Sequence, residues 1–223
     1  MTNVDKCESD KDAAYKLNVL GTMNVANTCR KHNIRLIAIS TDYVFDGISH
    51  NPYTEFDIPT GGTNVYGRTK WLGEQMVRQY CPNHVICRIS WLYGEGGPSF
   101  VHTMVKLAKE KKELKVVENQ WGNPTSCMAV ARAIQQFVYN QALVGTYHLT
   151  CEGETNWYNF AKEIFKQLNM VVNIRPCSDR EYTRPAKRPA NSRLDKMMLR
   201  LNNLPPMPHW KDALTEFLQT EKF

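Results

Sequence analysis

The sequence has no CxxC pair, no HxxxH or HExxH spacing and no apolar run near the length of a membrane span. Its seven cysteines are odd in number, a pattern that favours free thiols in a reducing compartment over a disulfide framework or a zinc site. A membrane-spanning helix needs about 20 apolar residues, and no signal-peptide pattern follows Met1. We therefore expect a soluble, cytoplasmic protein without a membrane partner and without a transition-metal site.

Glycine is nearly absent from the first part of the chain. Before residue 35 the one glycine is Gly21, which lies within a helical pattern. An α/β protein that binds a dinucleotide normally begins with a strand, a glycine-rich turn and the amino terminus of a helix, which together hold the pyrophosphate. The first buried strand visible in the sequence would then be a middle or late strand with one long edge unpaired. The later segment 94–97 (GEGG) lacks the G-x-G-x-x-G spacing, so we assign it no phosphate-binding role.

The basic residues outnumber the acidic ones by 28 to 22, which gives a net charge of +6. The lysines of residues 106–115 are interrupted by Glu110 and Glu113, a pattern typical of a solvated helix face. A purer basic set in the carboxy-terminal part consists of Arg175, Arg180, Arg184, Lys187, Arg188 and Arg193. This set either meets a phosphorylated small molecule or is simply solvated. We expect no nucleic-acid partner.

Apolar periodicity predicts alternating helices and strands. Residues 35–40 and 85–93 are nearly unbroken apolar runs, typical of parallel strands buried on both faces. Helices are predicted for residues 12–31, from 64 to about 77, 99–111, around 130–137, from 156 to 168 and from about 209 onward, and short strands for 114–117 and 146–149. This rhythm indicates βαβ units. We expect an α/β fold with a partial doubly wound parallel sheet, Rossmann-like, whose early strands are missing.

The predicted elements also suggest a division into two parts. We expect residues 1–97 to be the remainder of a dinucleotide-binding domain that carries the catalytic residues. Residues 98–223 would form a smaller carboxy-terminal lobe that mostly binds substrate, with about 123–150 returning to the first domain.

Tyr66 and Lys70 stand four residues apart at the start of a predicted helix, so their side chains project from one face. An ammonium beside a phenol favours the phenolate, and we expect it to lower the Tyr66 pKa from about 10 toward neutral pH. Such a phenol suits the donation of a proton to a carbonyl oxygen while hydride reaches the carbon. The spacing alone is more typical of a surface tyrosine beside a solvated lysine, so the surrounding sequence has to decide.

Five segments occur in an order that points to one family. They are residues 40–47 (STDYVFDG), 64–70 (NVYGRTK), 73–74 (GE), 88–93 (RISWLY) and 188–192 (RPANS), and the match begins at residues 2–8 (TNVDKCE). Together they resemble the dTDP-4-dehydrorhamnose reductases, extended short-chain dehydrogenases/reductases that complete dTDP-L-rhamnose synthesis. The resemblance covers the whole chain, but the family's amino-terminal segment with the glycine-rich dinucleotide turn has no counterpart in it.

The resemblance implies a catalytic role for three residues. Tyr66 would be the general acid that protonates the C4 oxygen of the sugar. Lys70 would lower the Tyr66 pKa and bind the nicotinamide ribose, and Thr41 would supply the hydroxyl that polarises the carbonyl. For Thr41 the alternative interpretation is that it only ends a strand.

Three further residues are implied in binding. Asp42 and Trp91, together with Thr41, match positions that contact the sugar nucleotide, and an indole is a natural platform for the apolar face of a sugar. Thr2 would contribute a cofactor contact through its hydroxyl, alongside Tyr66 and Lys70. The alternatives are that Asp42 caps a turn and that Trp91 belongs to the core.

The resemblance therefore implies reduction of a keto sugar carried on dTDP, with NADPH or NADH as the cofactor. It also allows a homodimer and a magnesium ion, neither of which the residues themselves indicate. Because the pyrophosphate cradle is missing, we interpret the chain as the catalytic and substrate-binding part of a truncated reductase that binds NADPH poorly by itself. The alternatives are a non-catalytic regulatory subunit on the same scaffold, and another extended sugar-nucleotide enzyme such as an epimerase or dehydratase.

Overall fold

A computed structural model describes residues 1–221 and residue 223. The α-helices are α1 (Val4–Ser9), α2 (Lys11–Tyr15), α3 (Thr22–Lys31), α4 (Val65–Tyr80), α5 (Phe100–Glu110), α6 (Cys127–Tyr139), α7 (Trp157–Gln167), α8 (Met197–Leu201) and α9 (Trp210–Thr220). The strands are β1 (Leu36–Thr41), β2 (His84–Ile89), β3 (Leu92–Tyr93), β4 (Glu113–Val117), β5 (Trp121–Gly122), β6 (Thr125–Ser126), β7 (Gly145–His148), β8 (Thr155–Asn156) and β9 (Asn173–Cys177). Within the described part of the chain, no helix is long and apolar enough to cross a membrane.

Three parallel strands in the order β1–β2–β7 form the sheet that positions the site. Thr41 at the end of β1 is in register with Ile89 at the end of β2, and Arg88 with His148 at the end of β7. The carboxyl ends of the three strands therefore meet at one edge, as in open α/β sheets that bind ligands there. Among the described residues β1 pairs on one side only, so the expected unpaired edge is present.

The core explains why the two longest apolar runs became strands. Val85, Ile86 and Cys87 of β2 are fully buried, as a central parallel strand covered on both faces requires. The same core continues through α5, α6, α7 and α9, with Phe137 and Phe160 among its fully buried side chains. This cluster contains side chains from both predicted parts of the chain, so it does not separate one part from the other. The division near residue 97 stays a prediction.

A buried ion pair ties the sheet to α4. The Glu74 carboxylate accepts hydrogen bonds from Arg88 Nε at 2.9 Å and Arg88 Nη2 at 2.8 Å, and both side chains are almost completely buried. Ser40 Oγ on β1 donates to the same carboxylate at 2.5 Å, and Arg78 Nη2 donates at 3.0 Å. His148 on β7 lies 3.3 Å from Arg88 Nη1. One network thus joins α4 to all three strands. It reaches β1 at Ser40, the residue immediately before Thr41, with which β1 ends.

Three local details differ from the sequence-based expectations. The helix expected over 12–31 is interrupted by a π-helical turn at Lys16–Gly21, where the Thr22 hydroxyl donates to the Asn18 carbonyl at 2.8 Å. The strand expected over 85–93 ends at Ile89 and resumes as β3, because Trp91 has a left-handed backbone with φ of 46°. β9 was not predicted, since its sequence is mostly polar, yet it pairs in parallel with β4.

Candidate active site

The site is built where β1 ends and α4 begins. The Asn64 side chain caps α4 by accepting from the Gly67 N–H at 2.8 Å, and its amide donates to the Lys187 carbonyl at 2.8 Å. Gly67 lies against the backbone of Tyr43, so close that a β-carbon on it would be 2.1 Å from the Tyr43 carbonyl oxygen. This close approach brings the first turn of α4, which carries Tyr66, onto the segment that follows β1.

Tyr66 has a raised pKa. Desolvation of its phenol, together with the negative charge of Asp42, raises the Tyr66 pKa to about 12, although the Thr41 hydroxyl acts in the opposite direction. The ring of Tyr66 also meets the ring of Tyr43 edge-on, with centroids 5.6 Å apart. The structure therefore brings Thr41 and Asp42 up to Tyr66, as the sequence predicts for residues at a strand end and at the start of the next helix.

The expected lowering of the Tyr66 pKa by Lys70 is wrong for this structure. Lys70 Nζ donates a hydrogen bond of 2.7 Å to the Ile39 carbonyl, and burial lowers the Lys70 pKa. The ammonium is engaged with the backbone of β1, and desolvation of the phenol is the largest effect on the Tyr66 pKa. The roles of the two residues as general acid and ribose ligand stay predictions.

Asp42 is buried beside Thr41 and near Tyr66. It is 4% exposed, and desolvation raises its pKa to about 6, against the opposing effects of the Ser192 and Thr41 hydroxyls. Thr41 Oγ1 lies 2.8 Å from Asp42 Oδ1, whereas Asp42 Oδ2 is buried without a hydrogen-bond partner among the described residues. The backbone N–H of Tyr43 donates to Thr41 Oγ1 at 3.3 Å, which makes a short turn of these three residues.

Trp91 follows β2 at the same edge of the sheet. Its indole stacks on Trp157, with centroids 3.4 Å apart and planes 8° from parallel, so one face of the ring is covered by protein. Gly122 lies directly against the indole, because a β-carbon there would be 2.4 Å from Trp91 Cε2. A sugar could use only the part of the half-buried ring that these neighbours leave free. The substrate-binding role of Trp91 stays a prediction.

Thr2 is the remaining residue that the resemblance implies in cofactor binding. Its side chain is exposed, one residue before Asn3, which caps α1. No described hydrogen bond joins the Thr2 side chain to Tyr66 or Lys70. Its proposed cofactor contact therefore stays a prediction.

Arg188 and Ser192 lie at the site, although they are not among the residues to which the resemblance assigns a catalytic or binding role. Arg188 forms two bonds with Asp5, at 2.5 and 2.7 Å, and this pairing lowers the Asp5 pKa to about 2. Arg188 also faces Tyr43, and Ser192 faces Asp42. The segment 188–192 was visible as part of the family resemblance, but nothing in its spacing showed that it folds back over the end of β1.

A groove of about 390 Å³ runs beside the free edge of β1, with Ile39, Ser40 and Lys70 in its lining. Lys70, together with Tyr66 one helical turn earlier and outside this lining, would hold the ribose and nicotinamide end of NADP. The groove does not suit the pyrophosphate of NADP, because the lining is largely apolar and Gly21, the glycine nearest the chain start, lies inside the π-helical turn. No group of three or more acidic, histidine or cysteine side chains among the described residues could hold a metal ion.

Comparison with known proteins identifies the family. The family model described as the RmlD substrate binding domain matches residues 1–223. A dTDP-4-dehydrorhamnose reductase structure from Clostridium acetobutylicum is 43% identical with a TM-score of 0.95, and the match covers 98% of this chain and 77% of that one. The Bacillus anthracis dTDP-4-dehydrorhamnose reductase in complex with NADP is 40% identical with a TM-score of 0.96, over 99% and 78% of the two chains.

A further relative is named for a different substrate. The dTDP-4-keto-6-deoxy-D-glucose reductase of Streptomyces niveus is 37% identical over 96% of this chain and 75% of its own length. The α/β Rossmann-like fold expected from the sequence is confirmed by the two solved structures. The chain belongs to the dTDP-4-dehydrorhamnose reductase family of extended short-chain dehydrogenases/reductases.

Proposed function

We propose that the protein reduces the C4 keto group of dTDP-4-dehydro-β-L-rhamnose to give dTDP-L-rhamnose, a step of polysaccharide biosynthesis, with NADPH or NADH as the hydride donor. The observation that carries the proposal is the convergence of Thr41, Asp42 and Tyr66 at the carboxyl end of β1. Lys70 lies one helical turn beyond Tyr66 and is anchored to the same strand. Membership of the family supplies the substrate class.

The raised Tyr66 pKa sets the protonation state of the proposed acid. With a pKa of about 12 the phenol keeps its proton at neutral pH, so it is present in the form that a general acid needs. As hydride reaches C4, the carbonyl oxygen gains the basicity of an alkoxide and can take the phenol proton. The Thr41 hydroxyl, facing the phenol, stabilises the phenolate that remains.

The cofactor would supply the hydride to C4. For this chain, Lys70 and Tyr66 would hold its ribose end, and the largely apolar groove offers its pyrophosphate no cradle. We therefore expect this polypeptide by itself to bind NADPH weakly. Titration of NADPH fluorescence measures the affinity, and a micromolar dissociation constant would contradict this expectation.

The test of the reaction is NADPH oxidation at saturating cofactor with dTDP-4-dehydro-L-rhamnose. We expect turnover by the native chain and a loss of at least about 10²-fold in kcat for Tyr66→Phe, because the phenol proton is removed while the ring stays. A surface change, Tyr139→Phe on α6, is the matched control, since Tyr139 is 82% exposed. No turnover by the native chain, or equal turnover by both variants, would refute the proposal.

A second substrate is favoured by one observation, the relative named as a dTDP-4-keto-6-deoxy-D-glucose reductase. The same acid and hydride chemistry reduces this sugar, so only the sugar contacts distinguish the two. Assays of both sugars side by side give the ratio of the two kcat/KM values, which measures that preference directly. A ratio above about 10 in favour of the D-glucose derivative would move the assignment to this second substrate.

A further inference from the structure

The indole of Trp91 is covered on both faces, although it lies at the carboxyl edge of the sheet. Trp157 stacks on one face, with centroids 3.4 Å apart and planes 8° from parallel. A β-carbon on Gly122 would be 2.4 Å from Trp91 Cε2, and 2.7 and 2.8 Å from its ring neighbours Nε1 and Cζ2. Such nearly equal distances place Gly122 above the ring plane, and the stacked Trp157 ring leaves room for it only on the opposite face.

One short pair of strands supplies both of these neighbours. β5 and β8 pair antiparallel, with Gly122 opposite Thr155. Trp157 follows β8 directly as the first residue of α7, and the Asn156 side chain caps that helix. Gly122 and Trp157 are therefore held by the same hydrogen-bonded pair of strands, and together they form a clamp around the Trp91 indole.

The clamp is anchored in the core. Phe100 of α5 packs against Trp157, with centroids 4.5 Å apart, and stacks on Phe160 at 5.4 Å. Phe160 is fully buried. The plane of the Trp157 ring is therefore fixed from behind, and it fixes the plane of the Trp91 ring in turn.

The backbone of Trp91 depends on such support. Its φ of 46° lies in the left-handed region, where a bulky residue is rarely found. A conformation of this kind persists only where the surroundings fix it, and it is concentrated at active sites and ligand-binding sites. The Trp91 carbonyl also accepts from the Thr125 N–H at 3.1 Å, so both the backbone and the ring of this residue are held in place.

The rim of the indole is the part that a ligand can reach. Trp91 is half-buried, and its two faces are taken by Trp157 and Gly122. It lies two residues beyond Ile89, which is in register with Thr41 at the end of β1. The rim of an aromatic ring is electropositive, so it suits the oxygen of a hydroxyl group better than the C–H groups of a sugar face.

We propose that Trp157 is a positioning residue, which with Gly122 clamps Trp91 so that the rim of its indole meets a hydroxyl oxygen of the sugar. This inference rests on the proposed function, because it requires a sugar nucleotide at this edge of the sheet. The clamp acts on the sugar, so binding of the nucleotide part should not depend on Trp157.

The first test needs neither cofactor nor substrate. A proton that lies over the face of a stacked aromatic ring resonates at high field in the NMR spectrum. We expect the Trp91 indole N–H, assigned by its loss in Trp91→Phe, to move to lower field in Trp157→Leu. Trp210→Phe is the matched control and should leave it unchanged, because Trp210 is a buried tryptophan that packs against Phe160 from α9. An unmoved resonance in Trp157→Leu would overturn the proposal.

The second test compares the binding of dTDP and of dTDP-L-rhamnose by isothermal titration calorimetry. We expect Trp157→Leu to weaken dTDP-L-rhamnose about tenfold and dTDP by less than about twofold. Trp157→Phe should stay closer to the native protein, because it keeps a flat ring against Trp91. Trp210→Phe should lower the thermal midpoint without changing the ratio of the two affinities. If Trp157→Leu weakens both ligands equally or neither of them, Trp157 supports only the fold and the proposal is wrong.

A double-mutant cycle tests whether Trp157 acts through Trp91. In a Trp91→Ala background, Trp157→Leu should cost no further affinity for dTDP-L-rhamnose. The same loss in both backgrounds would refute the clamp. Failure of the proposed function has a different signature, since the native chain would then bind neither dTDP nor dTDP-L-rhamnose, and the positioning role would fall with it.

Discussion

Replacing Glu74 by glutamine should destabilise the fold strongly. Burial alone would raise the Glu74 pKa, but the bonds from Arg88, Ser40 and Arg78 outweigh it and lower that pKa, so the carboxylate is charged in the folded protein. The amide of glutamine would place an N–H donor opposite a donor of Arg88 or Ser40. The Arg88 guanidinium, which is 1% exposed, would then keep an uncompensated positive charge. Removing one partner of such a pair costs about 3–5 kcal/mol.

This loss is large against the total stability of a domain, about 5–15 kcal/mol. With a urea m value near 3 kcal/mol/M, the unfolding midpoint should fall by at least about 1 M. The measurement is urea unfolding followed by tryptophan fluorescence at pH 7. The matched control is Glu216→Gln, which breaks the pair between Glu216 and Arg132 on the surface, where both side chains are largely exposed.

The control should lose only a small part of what Glu74→Gln loses, because water and salt screen an exposed pair. The pH dependence gives an independent check. Since the folded pKa of Glu74 is depressed, its contribution is present above the unfolded pKa of about 4.3 and is lost as pH falls through the folded value. Equal losses in the two variants, or an unchanged acid dependence in Glu74→Gln, would refute the argument.

Three further changes test other parts of the structure. Burial lowers the His148 pKa to about 3, whereas histidine in the unfolded chain binds a proton below about pH 6.5. The free energy of unfolding should therefore fall as pH drops from 7 to 5. Urea titrations should show a weaker fall in His148→Gln. In an open helix, a change from glycine to alanine raises the stability by up to about 1 kcal/mol. Gly67→Ala should instead lower the thermal midpoint, because the new β-carbon would meet the Tyr43 carbonyl. A raised midpoint would contradict this. Arg188→Lys loses the paired bonds to Asp5, so hydrogen exchange in residues 185–192 should become faster, and unchanged exchange would show that the pair does not hold this segment.

Much of the fold was predictable because local pattern and tertiary environment agree. The apolar runs at 35–40 and 85–93 supply most of β1 and β2, and the helix expected from residue 64 is α4. β9 could not be predicted in the same way. Its residues are mostly exposed, and its pairing with β4 joins segments about 60 residues apart, which no local periodicity reports.

The position of the candidate catalytic residues was predictable for a geometric reason. Residues that follow a parallel strand meet at the carboxyl edge of the sheet, so Thr41 and Asp42 could be placed near the next helix from sequence alone. Trp91 could be placed at that edge too. Its stacking on Trp157 could not, because the partner lies on a helix 66 positions later and the left-handed backbone of Trp91 is set by tertiary packing.

The protonation states were not predictable, because they depend on which segment covers the end of β1. The sequence places Lys70 one turn from Tyr66 and so favours a lowered phenol pKa. In the folded chain, residues 186–192 lie over the end of β1, and Asp42 is buried beside Ser192. The Lys70 ammonium donates its hydrogen bond to the Ile39 carbonyl.

Two adjacent groups therefore have their pKa values pushed in the same direction from very different starting points, Asp42 to about 6 and Tyr66 to about 12. The gap of about six pKa units between them is therefore the one that the free side chains already have, and burial moves both values upward together. Near neutral pH the phenol therefore keeps its proton, whereas the carboxyl is largely ionised. The protonation state of the candidate acid follows from burial rather than from the four-residue spacing of tyrosine and lysine.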